Sequence, residues 1–459
     1  MNRTKSFIID FIKKVSVIAV PVALQNLLLT TQSIIDTMMI APMGENVIAS
    51  VGLCASFASL MFSCYWGFAC GGTLFFSQHW GAGDKNAIKK NFGVTLSFMM
   101  IVGVIFAGIA FIKPELVMQL YTDKTALYEV GEKYLRIVAL AYLLQIYGTA
   151  MCTLLRATER VKIPFNASLV TTATNILLNY IFIYGKMGVP AMGASGAALG
   201  TLIASFINVC LIWILSRRSG YSMIFEVRDH FAWDRDTVKE YLGKCFPIIC
   251  NELFMGTANM IISAVIGRQS EKVIAALVVF RVIEGCIVAF FTGFSNAASI
   301  LVGKCVGAGE MDKAKVRAKS LVPLCAGTIA IVEVIIFLFH KVIFQGMGLY
   351  GETFDICTTM LVIYSVAAVF RMSNWIQNDT YRSAGDAKFG TVLEISFMYA
   401  LVLPLVYLTG IYLKCGIAIV FIMCYIDEPI RLILMQIHMY SYKWIKPVTE
   451  VGKNSLVAD

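Results

Sequence analysis

The chain has 459 residues, of which 58% are hydrophobic and 15% are charged, and its mean hydropathy is +0.75. Soluble domains contain about 45–50% apolar residues, so the composition excludes an ordinary soluble fold and predicts a multi-pass protein of a lipid bilayer. The net charge of +9 does not indicate nucleic-acid binding, because the basic residues concentrate in short loops between apolar segments, as membrane topology requires. The 13 cysteines form no Cys-x-x-Cys pattern, so neither a disulfide framework nor a zinc site is predicted.

Twelve apolar segments follow one another along the chain, separated by short polar stretches. Each has about the 20 residues that a helix needs to cross ~30 Å of hydrocarbon, which predicts an all-α polytopic membrane protein. Lys and Arg concentrate in the N-terminus, the even-numbered loops and the C-terminal tail, so both termini are expected to face the cytoplasm, in an inner or plasma membrane. The predicted helices are 15–40, 48–76, 92–112, 134–155, 164–184, 191–215, 242–266, 273–302, 320–340, 357–380, 389–410 and 415–438.

The first predicted helix contains a single carboxylate, Asp36, near its outer end. A charge in hydrocarbon is costly unless it is protonated, paired or bound to a cation. On helix 5, Asn179 lies at a similar depth, Asn175 is one turn earlier on the same face, and Thr201 is in the outer half of helix 6. We interpret these four residues as a cation-coupling site for H⁺ or Na⁺, with Na⁺ held by Asp36, Asn175 and Asn179. The alternative is that the neutral side chains only join helices.

A Gly-Ala-Gly-Asp loop, residues 81–84, follows helix 2, and Gly-Ala-Gly-Glu, residues 307–310, follows helix 8. Neither loop follows a strand or has the spacing of a phosphate-binding loop, so a nucleotide site is not expected. We interpret both as tight cytoplasmic turns. Without an ATPase motif, the expected energy source is an ion gradient, and no bound cofactor is predicted.

The longest hydrophilic stretch, Arg217–Lys244, divides two similar halves. At a shift of 226 residues, Pro21 pairs with Pro247 and Arg156 with Arg382, and the agreement extends over some 140 residues before the shift becomes 220 near Gly196. Six helices in each half give both halves the same direction through the membrane, so they are related by a pseudo-two-fold axis along the membrane normal. We predict an N-terminal lobe at 1–216, a linker at 217–241, a C-terminal lobe at 242–440 and a cytoplasmic tail at 441–459. Substrate is expected between the lobes.

The C-terminal half contains several charged residues within apolar segments. The candidates for a substrate site or a second proton site are Glu252, Arg281, Glu284, Arg371 and Asp379. Arg281 and Glu284 are three residues apart, so a local ion pair is slightly favoured, although Arg371 is another partner for an acid of this half. The sequence leaves three roles open for Glu252: a titratable site, a ligand for a cationic substrate, or the partner of an arginine.

The chain resembles the multidrug and toxic compound extrusion (MATE) transporters over nearly all of residues 15–440. The motifs that carry this resemblance agree in order and spacing. They are Gln32–Thr37, Ser77–Asp84, Leu155–Ala157 followed by Pro164, Asn175–Tyr180, Gly193–Thr201 and Tyr381–Asp386.

The resemblance implies a twelve-helix, two-lobe antiporter that exports organic, often cationic compounds in exchange for Na⁺ or H⁺. It also implies a cation site at Asp36, Asn175, the position of Asn179, and Thr201. Some members of the family have aspartate where this chain has Asn179. Glu252 matches a helix 7 acid of one branch, but the helix 10 acid of that branch falls on Arg371, so the mechanism of that branch is not transferred.

These observations together predict a secondary transporter that is a monomer, takes a small-molecule substrate and has no enzymatic activity. The alternative is a flippase for a lipid-linked or amphipathic precursor, whose signature would be a large cationic cavity; Arg281 and Arg371 keep that alternative open.

Overall fold

The computed structural model describes residues 2–221, 227–231 and 233–458, and within these ranges every regular element is a helix. Part of the predicted linker 217–241, namely residues 222–226 and 232, lies outside the described residues. The chain divides into two compact units, which do not coincide with its two halves. The first unit is Pro21–Phe76 with Asp84–Cys245, and the second is Met1–Val20, Ser77–Gly83 and Phe246–Asp459.

The first eight helices of the described residues supply the first unit, apart from the beginning of α1 and the end of α2, which belong to the second. They are α1 Asn2–Ile40, α2 Glu45–Ala82, α3 Lys85–Ile112, α4 Pro114–Tyr121, α5 Tyr128–Ala157, α6 Lys162–Tyr184, α7 Ala194–Arg218 and α8 Val227–His230.

Nine further helices follow in the described part of the chain, mostly in the second unit. They are α9 Arg235–Ile266, α10 Glu271–Gly307, α11 Met311–Gly346, α12 Gly351–Ser383, α13 Ala387–Phe397, α14 Leu403–Tyr407, α15 Ile417–Met423, α16 Glu428–Ser441 and α17 Glu450–Ala458.

In the described part of the chain, 11 helical segments are long and apolar enough to cross a membrane, which confirms the all-α membrane fold. The predicted eleventh segment is α13 and α14, joined by the π-helical turn Met398–Val402. Pro404, which has no N–H to donate to the preceding turn, explains why regular α-helix is not continuous there. The predicted twelfth segment is not one long helix but α15 and α16. The break precedes Pro429, which occupies the first turn of α16, a position that suits proline.

Side-chain hydrogen bonds join α1 to α6 along their length. Gln25 donates to Ser168 Oγ at 2.8 Å, and Gln32 Oε1 accepts from the Thr172 hydroxyl at 3.0 Å. The repeat reproduces this arrangement: in the second unit, Asn251 of α9 donates to Glu394 of α13 at 3.0 Å, and both partners lie 226 residues after Gln25 and Ser168. The same helix pair is therefore formed in each half, with a neutral acceptor in one and a carboxylate in the other.

The two Gly-Ala-Gly motifs do more than form the predicted turns. Gly83 and Gly309 have the positive φ angles of 75° and 76° that suit glycine in a tight turn. The preceding glycines lie at a crossing of α2 and α10. A Cβ on Gly81 would lie 2.0 Å from the Lys304 carbonyl oxygen, and a Cβ on Gly307 would lie 1.9 Å from that of Gln78. The contacts are reciprocal, so each motif lets its helix approach the backbone of the other.

The segment predicted as a cytoplasmic tail, 441–459, is packed within the second unit in its described part. Trp444 is fully buried, and the Val448 amide donates to Gln78 Oε1 at 2.8 Å. The Thr449 hydroxyl donates to the Gly307 carbonyl at 2.8 Å, which places the segment beside the glycine crossing.

Candidate functional site

Asp36 lies on α1, four residues before its end at Ile40, and it is half-buried. Asn179 of α6 donates a hydrogen bond from Nδ2 to Asp36 Oδ1 at 2.8 Å. The same Nδ2 lies 3.3 Å from Asn175 Oδ1, as the i, i+4 spacing on one helical face allows. The structure thus brings together three of the four predicted residues, and both asparagines are fully buried.

Two polar atoms of this group have no hydrogen-bond partner in the described structure: Asn179 Oδ1 and Asn175 Nδ2. The Asn179 oxygen faces Gly200 of α7, where a Cβ would lie 2.1 Å away. Glycine at position 200 therefore gives the Asn179 amide the room it occupies. Gly200 was not among the predicted site residues, although it lies in the Gly193–Thr201 motif.

Thr201, the fourth predicted residue, is half-buried on α7. In the described part of the chain its hydroxyl makes no hydrogen bond to the other three residues, and its backbone oxygen accepts from Ser205 at 2.7 Å. The contact from α7 to the site is made instead by Gly200, one residue earlier.

The chemistry of this group follows from its charges. Among the described residues, no Lys or Arg forms an ion pair with Asp36, so its negative charge is balanced by no side chain. Carboxylate and amide oxygens are ligands for hard cations, and a proton on the carboxyl group neutralises it equally well. The arrangement can hold either a proton or a small cation.

The charged candidates of the C-terminal half separate into two clusters within the second unit. In one, Glu284 of α10 is 5% exposed and receives two guanidinium groups, Arg281 at 2.5 Å and Arg371 of α12 at 2.7 Å. Both partners considered from the sequence are therefore present at once. Arg371 also stacks over the rings of Trp375 and Tyr425. With two arginines and one carboxylate, this cluster has an excess positive charge.

The second cluster contains Glu252 and Asp379, joined through Arg382. The Arg382 guanidinium lies 3.3 Å from Glu252 and 3.5 Å from Asp379, and the Ser295 hydroxyl also contacts Asp379. Glu252 thus has an arginine partner, but that partner is Arg382 rather than Arg281 or Arg371. Two carboxylates around one arginine give this cluster the opposite excess charge.

The sequence contained a signal for Arg382 that went unused. Arg156 is its counterpart in the repeat, and Arg156 contacts Gln25 of α1 at 2.6 Å, just as Arg382 contacts Glu252 of α9. Both halves retain a basic residue at this position within the membrane. Such a residue indicates that the same contact, to the first helix of the half, is made in each half.

Helices of membrane length define the described chain as a polytopic membrane protein. The MatE family model matches it twice, at residues 21–181 and 247–408, and the starts of the two matches are 226 residues apart, as in the internal repeat. The chain belongs to the MatE family, the multidrug and toxic compound extrusion transporters.

This chain is similar to individual proteins of the family along most of its length. The chain is 25% identical over 415 residues to the uncharacterized transporter YisQ of Bacillus subtilis, covering 90% of each protein. It is 23% identical over 410 residues to the probable multidrug resistance protein YoeA of the same organism, covering 88% of each. A solved outward-facing multidrug resistance MATE transporter has the same fold, with a TM-score of 0.83 and 19% identity over 94% of this chain and 96% of that one.

Proposed function

We propose that the protein is a secondary active antiporter that exports small organic compounds, cationic or amphipathic in character, in exchange for H⁺ or Na⁺. Relatives named as multidrug resistance proteins support an organic substrate and do not favour the lipid-flippase alternative. The protein acts as a monomer in the inner or plasma membrane with both termini in the cytoplasm. Residues 1–216 and 242–440 act as its two lobes, and substrate binds between them.

One observation carries the coupling assignment. Asp36 is the single carboxylate between Val15 and Ile40, it has a hydrogen-bond partner in Asn179, and it has no cationic partner among the described residues. Its position in the second half is occupied by Ile262, so the repeated scaffold does not require an acid there. A carboxylate that the scaffold does not need has a functional role.

The mechanism follows from competition between two ligands for different states. The coupling ion neutralises Asp36 and stabilises the state in which α1 holds its contacts with α6. The organic substrate stabilises the opposite state, and each ligand shifts the equilibrium only by its differential affinity for the two states. Alternating access then exchanges the two across the membrane. No covalent chemistry and no bound cofactor take part.

The test is transport by the purified protein in liposomes, with a fluorescent organic cation as substrate and with Na⁺ and H⁺ gradients imposed separately. Wild type is expected to respond to at least one gradient, and Asp36→Asn to neither, while its thermal unfolding midpoint stays close to that of wild type. Glu45→Gln, the same chemical change at an exposed carboxylate at the start of α2, is the matched control and is expected to transport normally.

Two outcomes would contradict the proposal. Normal gradient-driven export by Asp36→Asn would show that Asp36 is not the coupling residue. Transport of the fluorescent cation that is independent of both gradients would show that transport is not coupled to Na⁺ or H⁺. The separate gradients also identify the coupling ion, because a gradient drives transport only if its ion is exchanged.

A further inference from the structure

A third charged cluster lies in the second unit, within electrostatic reach of the clusters described above. Arg431 of α16 is 2% exposed and approaches three carboxylates. Its guanidinium lies 3.0 Å from Asp427, 3.3 Å from Glu394 of α13, and 3.8 Å from Glu428. All three acids are buried. One cation facing three buried carboxylates leaves two uncompensated negative charges if every acid is ionised.

Three buried asparagines surround these acids, and each presents its amide nitrogen to a carboxylate. Asn251 and Asn378 donate to Glu394 Oε2 at 3.0 and 3.1 Å, and Asn374 donates to Glu428 Oε2 at 2.7 Å. The Oδ1 atom of each of the three amides has no hydrogen-bond partner in the described structure. Unpaired buried acceptors are costly, so the cluster lacks hydrogen-bond donors as well as positive charge.

The first half builds the same packing without these charges. Glu394 corresponds to Ser168 at the 226 shift, and Glu428 corresponds to Asn208 at the 220 shift that applies late in the repeat. The structure supports this register, because Gly148, the counterpart of Asn374, approaches Asn208 as Asn374 approaches Glu428. The fold therefore forms with neutral residues at these positions, and packing alone does not account for the acids.

We propose that the cluster around Arg431 is a proton-binding site of the second unit, with the proton carried on Glu428. Glu428 has the longest separation from Arg431 of the three acids, so it gains least from the guanidinium and is the member that protonation neutralises at least cost. This site is separate from Asp36 and does not depend on the function proposed for it.

A proton fits the cluster better than a metal ion does. Arg431 lies among the carboxylates and repels another cation, and the amides direct N–H groups rather than oxygens at the acids. Among the described residues, no group of three or more His, Cys, Asp and Glu side chains has an arrangement that could hold a metal ion. A proton needs no coordination shell, and a carboxyl O–H adds one hydrogen-bond donor to a cluster that has too few.

The groups that act on Glu428 come from several helices. Arg431 and Asp427 are its neighbours in sequence, Glu394 reaches Arg431 from α13, and Asn374 contacts it from α12. Arg371 of α12 also acts on Glu428 at longer range. A movement of α12 or α16 would change the balance between these charges, so proton binding here is linked to the positions of those helices.

The experiment uses the full-length protein in detergent, with infrared detection of the C=O stretch that marks a protonated carboxyl group. The reference is Asp36→Asn, which removes any signal from Asp36. Adding Glu428→Gln to this variant is expected to remove a protonated-carboxyl band at neutral pH, and adding Glu45→Gln, at an exposed site, is expected to leave it. An unchanged band in the Glu428→Gln double variant would overturn the proposal, as would loss of the band on adding Na⁺ at constant pH.

Thermal unfolding gives an independent readout. Gln has the shape and charge of a protonated Glu, so Glu428→Gln is expected to fold and to unfold at the wild-type temperature or above it. Its unfolding midpoint should also fall less steeply with rising pH, since the folded wild type holds a proton that the unfolded chain releases. Glu394→Gln, which loses a carboxylate bound by Arg431 and two amides, should be less stable. Equal destabilisation of both variants, or misfolding of Glu428→Gln alone, would overturn the assignment.

Discussion

Asn179 donates a hydrogen bond to Asp36 across 2.8 Å, so α6 supplies the amide and α1 the carboxylate of one contact. Exchanging the two side chains tests whether transport depends on the carboxylate–amide pair or on a carboxylate at position 36 itself. Asp36→Asn is expected to abolish gradient-driven transport, and the double variant Asp36→Asn/Asn179→Asp is expected to recover part of it, because one carboxylate again lies beside one amide. The measurement is initial transport rate in liposomes under each ion gradient.

Asn179→Asp alone completes the comparison. It places two carboxylates within hydrogen-bond distance, and two like charges so close are not both ionised without a cation between them. We expect this variant to take up more coupling ion per transported substrate than wild type. If the double variant transports no faster than Asp36→Asn, the carboxylate is required on α1, and the two side chains are not interchangeable.

Gly200→Ala tests the room that α7 leaves for the Asn179 amide. The added Cβ would lie 2.1 Å from Asn179 Oδ1, so the amide must move and its bond to Asp36 must lengthen or break. A hydrogen bond to a charged group contributes about 1.5–3 kcal/mol, so transport at a subsaturating ion concentration should fall roughly tenfold or more. Gly108→Ala on α3, where a Cβ has nothing within 4 Å, should transport normally.

Much of the fold could be predicted from the sequence because hydrophobic length and the internal repeat are properties of the sequence itself. The breaks in the last two segments were harder to predict. Pro404 and Pro429 are visible in the sequence, but proline within an apolar run permits a kinked helix, a π-helical turn or a break. Which one forms depends on packing, and at Pro429 the break coincides with the Asp427–Arg431 ion pair.

The site was predicted in part for similar reasons. Asp36 and the asparagines of α6 follow from helical spacing and depth, whereas Gly200 could not be recognised because its role is the absence of a side chain. The repeat indicated that Arg382, the counterpart of Arg156, contacts the first helix of its half, but it did not identify Glu252 as the partner, because Gln25 pairs with Asn251. Only the three-dimensional contact from Arg382 at 3.3 Å identifies Glu252.

We expect the stability of the protein to depend strongly on Glu284, the central acid of the cluster with Arg281 and Arg371. Glu284→Gln leaves the guanidinium groups of Arg371 and of the more exposed Arg281 without their carboxylate, and breaking a buried pair costs up to about 3–5 kcal/mol. The double variant Glu284→Gln/Arg371→Gln should be more stable than the sum of the two single changes predicts. Lys133→Gln, which breaks an exposed i, i+4 pair with Glu129, should change stability by less than about 1 kcal/mol. Additive changes at Glu284 and Arg371 would show that the two are not coupled.

The acidic residues of the two Gly-Ala-Gly motifs have different roles, and their variants should differ accordingly. Asp84 Oδ1 accepts from the Ala87 amide at 2.9 Å and caps α3, so Asp84→Ala should cost about 1 kcal/mol. Glu310 makes no such cap and pairs with Lys313 at 2.7 Å. Unfolding midpoints should therefore fall further for Asp84→Ala than for Glu310→Ala, and Asp84→Asn should retain most of the stability.

The pH dependence of the Glu310 contact has a definite sign. The hydrogen bond from Lys313 holds the pKa of Glu310 below its ordinary value. Its contribution is therefore present above the unfolded pKa, near 4.3, and is lost as the pH falls through the lower folded value. Because both side chains are exposed, the effect should remain below about 1 kcal/mol. Comparing the unfolding midpoints of wild type and Glu310→Gln between about pH 6 and pH 3 should show convergence at the acidic end; a constant difference would contradict the pairing.

Gly81 and Gly307 should be intolerant of even one added carbon, because each faces a backbone carbonyl that cannot rotate away. Cβ atoms at 2.0 Å and 1.9 Å from those oxygens must force α2 and α10 apart, and overpacking of this kind costs about 1–3 kcal/mol. Gly52→Ala, in the same helix α2 but facing open space, should be neutral or stabilising by about 0.5–1 kcal/mol. Since the two contacts belong to one crossing, the first alanine already separates the helices and the second should add less than its individual cost. The unfolding midpoints of the two single variants and the double variant measure this coupling, and strict additivity would mean that the two contacts are independent.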